Sequence, residues 1–209
     1  MGPFELMDTT GLDVSHPVME SIYQQFYEEP RFRPGPLTRQ RAAAGLHGRK
    51  TGRGFYTYQD NKKVLPPAAD VPDTLPEAIW ISKAEPVGHE MLAAALSGVV
   101  EIDDGQKPST RSLCLFTPVG RDITSAAVAE GVEAERAFGV DTMFGLEGRR
   151  TLMGTPVSDP DFRDMVHAAL AARDHAVTVI HDSAGFVNQR VVATVVNIAC
   201  DIAQQRIAS

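Results

Sequence analysis

Cysteine, tryptophan and positive charge are all scarce in this sequence. Of 209 residues two are cysteine and one is tryptophan, and 20 Lys and Arg face 27 Asp and Glu. Cys114 and Cys200 stand apart, without the pattern of a disulfide framework or the spacing of a metal site. They are expected as free thiols of a reducing cytoplasm, small and buried. The formal net charge of −7 speaks against nucleic acid or an anionic membrane as a principal partner. No apolar run is long enough to span a bilayer. The start, MGPFELMD, lacks the basic-then-apolar order of a secretory leader. What is present is ordinary for a globular chain: 43% hydrophobic and 22% charged residues. The length suits one large domain or two small ones.

A proline and an aromatic arrive at once at the start, and the end, DIAQQRIAS, is still in helical rhythm with no glycine cap. The chain therefore reads as a piece of a longer protein. Ser15 reads as an N-cap with Pro17 in the first turn. Val18, Met19, Ile22, Tyr23, Phe26 and Tyr27 fall on one face of that helix, and Pro30 and Pro34 end it. A short helix through LTRQRAAAG stops at Gly45. Residues 61–76 carry four prolines and little periodicity, the mark of a linker. Beyond them AIWIS, VVEID, SLCLFTP, FGVDTMF and AVTVIHD read as strands. They alternate with helices through VGHEMLAAALS, through DITSAAVAEGVEAERA (weakened by Gly131) and after Ser158. That alternation implies a parallel, doubly wound sheet. In the third helix Phe162, Met165, Val166, Ala169 and Leu170 share a face. From Phe186 a long helix begins, with Val191, Val195, Ile198 and Ile202 as its apolar stripe.

The stretch HGRKTGRGFYTY, residues 47–58, has the glycines and cations of a phosphate cradle. A phosphate loop, however, sets its glycines between a strand and a helix N-terminus. Here they follow a helix and precede a strand, so the stretch reads as a backbone bend. Gly52 and Gly54 turn the chain, Gly54 with positive φ, and Phe55, Tyr56 and Tyr58 anchor it. Arg49, Lys50 and Arg53 are left to solvent, a partner subunit or the phosphates of a ligand. His167, His175 and His181 are close in sequence, and His181 with Asp182 has the look of an orienting pair. Their spacings do not match ligands on one helical turn, so they read as surface residues, and His16 and His47 as structural ones.

GPFELMDTTGLDV at 2–14, followed by GRKTGRGFYTY, resembles the C-terminal helical domain of the 3-hydroxyacyl-CoA dehydrogenases. DSAGFVNQRVVATVVNIACDIAQQRIAS resembles the opening helix of a second copy of that domain. Residues 77–184 resemble a worn version of the family's nucleotide-binding domain. The resemblance implies an α/β plus all-α fold. A partial helical domain of the 6-phosphogluconate-dehydrogenase type would occupy 1–60 and a linker 61–76. A degenerate doubly wound Rossmann-like unit would follow over 77–184, then a long helix over 185–209. It further implies NAD and an acyl-CoA substrate in the parent enzyme, as in fatty-acid or phenylacetate-type degradation, and a homodimer through helical domains. The active nucleotide-binding domain is expected upstream of Met1.

The residues that would carry that chemistry are mostly not here. The glycine-rich turn is replaced by SKAEPVG, in which only Gly88 remains. Glu85 would bring a negative charge to a pyrophosphate, and Pro86 removes a donor. Asp103 and Asp104 stand about where a ribose-binding acid belongs. The resemblance places Asp141 at the family His, TPVG (117–120) at a Ser-containing turn, and Gln189, or Asn188 one residue earlier, at the family Asn. Gln189 and Asn188 are thus the candidate catalytic residues, with no residue for binding cofactor or metal, and the chain alone is expected not to bind NAD. The rival reading is a non-catalytic docking or oligomerisation module. A third is an unusual dehydrogenase working within 77–184.

Overall fold

The computed structural model of the chain describes residues 2–65 and 70–206. These fall into two compact units, one ending at Ala69 and the other starting at Asp70.

The first unit holds α1 (Pro3–Thr10), α2 (Leu12–Gln25), α3 (Pro36–Ala43) and a small antiparallel hairpin of β1 (Thr57–Gln59) and β2 (Lys62–Val64). The first helix was not anticipated, and the second begins earlier than Ser15. Gly11, at φ 92°, is its N-cap, and the Ser15 hydroxyl instead meets Thr10 Oγ1 at 2.6 Å. Pro17 therefore lies inside the helix. The covered face differs too. Leu12 and His16 are buried and Met19 and Tyr23 half-buried, an i, i+4, i+7, i+11 row. The row with Val18, Ile22 and Phe26 is exposed, and Tyr27 lies beyond the helix. Gly45 has φ 71° just past α3, as its role as a stop requires. β2 occupies part of the segment expected as linker.

The second unit is a six-stranded sheet in the order β4-β3-β5-β6-β7-β8. Its strands are β3 (Ala78–Ile81), β4 (Glu101–Asp103), β5 (Ser112–Phe116), β6 (Ala137–Val140), β7 (Arg150–Gly154) and β8 (Val177–His181). Four of the five pairings are parallel, but β6 and β7 run antiparallel, so the sheet is mixed. β7 is the strand the sequence reading lacked. The connection from β6, residues 141–149, is shorter than the roughly dozen residues that a parallel crossover needs, so the chain returns directly.

The helices are α4 (Pro86–Leu96), α5 (Ile123–Glu130), α6 (Pro160–Ala171) and α7 (Val187–Gln204). Alternate strand residues feed two cores, as the period of two dictates. Ile79, Ile81, Leu113, Leu115, Phe138 and Val140 pack with Leu92 of α4 and with Val166, Ala169 and Leu170 of α6. Trp80, Cys114, Phe116 and Met153 pack with Ile123, Ala126 and Ala127 of α5 and with Phe186. Gly131, at φ 68°, ends α5 outright instead of weakening a longer helix. The cap of α6 is Asp159, which accepts from Asp161 N at 2.8 Å, while Ser158 Oγ accepts from Thr155 N. Among the described residues no helix is long and apolar enough to cross a membrane, and no cluster of three His, Cys, Asp or Glu could hold a metal ion.

Candidate functional site

In an open parallel sheet, ligands bind beyond the carboxyl ends of the strands where the winding reverses. Here that place lies where β3, β4 and β5 end. The turn after β3 is closed by its own side chains. Ser82 Oγ donates to Glu130 Oε1 at 2.6 Å and accepts from Ala84 N at 3.2 Å. Lys83 Nζ donates to Asp104 O at 2.8 Å. Gly88, in the first turn of α4, lies against Thr117 at the end of β5. A Cβ on Gly88 would fall 2.1 Å from Thr117 Oγ1. The glycine that survives is thus the one that close packing of helix on sheet requires. The glycines that let a backbone approach a pyrophosphate are gone.

Asp103 is equally committed. Its Oδ2 accepts from Ser112 Oγ at 2.6 Å and Ser109 N at 2.8 Å, and its Oδ1 accepts from Gly105 N at 3.0 Å. The Ser112 hydroxyl and the Ser109 and Gly105 amides hold the carboxyl well below the usual range against the opposing effect of burial. It organises its own loop and leaves little for a ribose hydroxyl. Asp104 is exposed. The N-terminus of α5 is filled as well. Asp122 accepts from Ser125 N at 2.6 Å, and Asp182 accepts from Ile123 N at 2.8 Å and Thr124 Oγ1 at 2.6 Å. Asp182 is therefore a helix cap and not a partner that orients His181. These groups do not fit a dinucleotide.

The structure does bring two candidate residues together. Asn188 Nδ2 donates to Asp141 Oδ2 at 3.1 Å, and Met143 N donates to Asp141 Oδ1 at 3.2 Å. Asp141 is buried and Asn188 exposed. Gln189 points elsewhere. It is buried, accepts from Gly120 N at 2.8 Å, and donates through Nε2 to Pro118 O at 3.1 Å. It thus fastens the TPVG turn to α7. One helical residue separates the two side chains by about 100°, and that rotation divides their roles. Beside them is a cleft of about 410 Å³, lined by Val119, Met143, Gln189, Arg190 and Val192 and almost wholly apolar.

In the first unit the bend reading of residues 47–58 meets a residue that the sequence reading overlooked. Asp8, 1% exposed, accepts from Phe55 N at 2.8 Å, Tyr56 N at 2.9 Å and Tyr58 Oη at 3.1 Å. Gly48 and Gly52 take positive φ, of 103° and 72°. Gly54 does not, contrary to expectation. It is needed because a Cβ there would lie 2.1 Å from Asp8 Oδ1 and 2.6 Å from Gly48 Cα. Two of the three cations are engaged, Arg49 with Glu5 at 3.2 Å and Lys50 with Asp13 at 2.5 Å, while Arg53 is exposed. His16 bonds Thr38 Oγ1 and His47 bonds Ala42 O. Burial lowers the pKa of His167. A lone Asp in an amphipathic run gives no warning that it will be an anchor.

The chain is similar to known proteins both over its first 58 residues and along its whole length. The family described as 3-hydroxyacyl-CoA dehydrogenase, C-terminal domain, matches residues 1–58. A probable 3-hydroxyacyl-CoA dehydrogenase of Caenorhabditis elegans is 46% identical over 59 residues, 28% of this chain and 19% of that protein. The 3-hydroxyadipyl-CoA dehydrogenase of Escherichia coli K12 is 26% identical over 211 residues, covering 100% of this chain and 39% of its own length. The crystal structure of 3-hydroxybutyryl-CoA dehydrogenase from Escherichia coli K12 shares the fold. It superposes with a TM-score of 0.64 at 23% identity over 100% of this chain and 39% of that one. The chain thus spans from about a fifth to two fifths of the relatives it matches. The resemblance of residues 1–58 to the C-terminal domain of the 3-hydroxyacyl-CoA dehydrogenases is borne out.

Proposed function

We propose that the chain is part of an NAD-dependent 3-hydroxyacyl-CoA dehydrogenase whose hydride and proton transfer are carried out by residues outside it. Residues 1–60 serve as part of a helical domain joined by a linker over 61–76. Residues 77–184 serve as a degenerate Rossmann-like unit that supports the assembly, and residues 185–209 open a second helical domain. The observation that supports this reading is the turn after β3, which keeps only the packing glycine Gly88 and is closed by its own side chains, Ser82 on Glu130 and Lys83 on the Asp104 carbonyl. Asp141 and Asn188, bonded to each other, supply no imidazole for general acid–base work near neutral pH. Calorimetry with NADH and an assay with 3-hydroxybutyryl-CoA test it. The expected result is no binding and no turnover by this chain. Micromolar NADH binding, or turnover abolished by Asp141→Ala, overturns it.

A docking or oligomerisation role is the second reading. It is favoured by the exposed row Val191, Val195, Ile198 and Ile202 on α7. It predicts a dimer in light scattering that Val195→Asp converts to monomer. A monomeric unmodified chain excludes it.

A further inference from the structure

We propose that the cavity between α4 and the start of β7 binds a small organic anion: a phosphate or carboxylate head on a short apolar body. The cavity is about 450 Å³, within the size of ordinary ligand sites. Its wall includes Met91, Ala95 and Leu146 on the apolar side and Arg150, Arg173 and His175 among the polar groups.

Arg150 is the central observation. It is 5% exposed, yet it donates only to main-chain carbonyls, Leu146 O at 2.9 Å through Nε and Leu170 O at 2.8 Å through Nη1. Among the described residues no carboxylate forms an ion pair with it. A buried guanidinium is ordinarily paired. Glu147, the acid on this wall, is exposed to solvent. Burial lowers the pKa of the Arg150 guanidinium, the charge of Glu147 offsets part of this, and the charge of Arg173 lowers it further. An anion in the cavity would relieve both effects.

The turn facing Arg150 is a second, independent observation. Arg173 and Asp174 are consecutive non-glycine residues with φ of 62° each. Such backbone is unfavourable and persists where the surroundings impose it. Here it sets Arg173 and His175 on the same cavity, with Arg173 Nη2 steadied by Ser97 O at 2.7 Å. Arg150 also ties the last turn of α6 through Leu170 O, and that alone would be a structural role. The additional cations and the apolar wall are what a tie does not need.

The experiment is calorimetric titration of the chain with inorganic phosphate, phenyl phosphate and phenol. Phenyl phosphate is expected to bind more tightly than phosphate, and phenol not at all. The variant Arg173→Asn with His175→Gln keeps the left-handed turn, which Asn tolerates. It removes two charge-assisted contacts and is expected to bind phenyl phosphate about tenfold more weakly or worse, with an unchanged melting curve in the absence of ligand. The proposal is overturned if neither phosphate binds saturably, if phenol binds as well as phenyl phosphate, or if the double variant binds as the parent does.

Discussion

Asn188 donates from Nδ2 to Oδ2 of Asp141 at 3.1 Å and so links the exposed start of α7 to the end of β6. Its neighbour Gln189 is the buried one, bonded to Gly120 and Pro118. Exposure and bonding therefore rank the two residues in opposite order to their promise as catalysts. Gln189→Ala strips the exposed Gly120 amide and the buried Pro118 carbonyl of their partner and is expected to cost about 1–3 kcal/mol. Asn188→Ala, at an exposed helix start, is expected to cost less than about 1 kcal/mol. Trp80 is the one tryptophan and lies in this unit, so its fluorescence in a denaturant titration reports both changes. Equal losses would mean that the Gln189 bonds carry little.

Gly54→Val is expected to destabilise the first unit by about 3 kcal/mol or more, by the overpacking route and without backbone strain. The new Cβ meets the Asp8 carboxylate and the Gly48 backbone together, and the carboxylate is held by three bonds. Even Gly54→Ala is expected to disturb the loop. All four tyrosines lie in this unit, so near-ultraviolet circular dichroism at their band follows its melting. A melt of Gly54→Ala equal to that of the unmodified chain would show that the Asp8 contact yields easily.

Much of the second unit was legible because its strands are short, apolar and separated by amphipathic helices. The face with Phe162, Met165, Val166, Ala169 and Leu170 packs as read. What escaped was set by tertiary context. β7 reads Arg-Thr-Leu-Met-Gly after a glycine-rich loop, and neither period marks it as a strand. Its direction follows from the length of a connection. The apolar row on α2 was legible, but which of two rows is covered depends on neighbours, and Leu12 and His16 won over Ile22 and Phe26. The candidate site was legible mainly as a loss: the missing glycines showed at once. That Asp103, Asp182 and Asp8 would be consumed as internal acceptors did not show, since a buried anchor and a solvated acid look alike in sequence.

Acid should loosen the loop after β4. The Asp103 carboxyl is depressed in the fold from its ordinary value of 3.8, chiefly by the Ser112 hydroxyl. Its contribution is therefore present above that value and is lost as the pH falls below it. Ser112→Ala removes the largest cause. The variant is expected to be less stable at neutral pH, by about 1–2 kcal/mol, and to lose less on acidification. Denaturant midpoints by Trp80 fluorescence between neutral pH and the acid limb check this, and parallel curves for the two proteins would refute it.

Base should act on the other unit through Tyr58. Burial first, then its hydrogen bond to Asp8, raises the phenol from 10.0 to about 12. The folded state thus keeps its proton more tightly than the unfolded one. The corresponding stability is fully present below pH 10.0 and is lost as the pH climbs through that value towards about 12. Tyr58→Phe deletes the bond to a charged acceptor and is expected to cost about 1.5–3 kcal/mol at neutral pH. It also deletes the titrating group, so its stability should fall less steeply on the alkaline limb. The tyrosinate difference spectrum between the chain and this variant isolates Tyr58. Its midpoint is expected well above 10, and a midpoint at the value of a free phenol would mean that the ring is open to solvent and the Asp8 anchor is weaker than its geometry indicates.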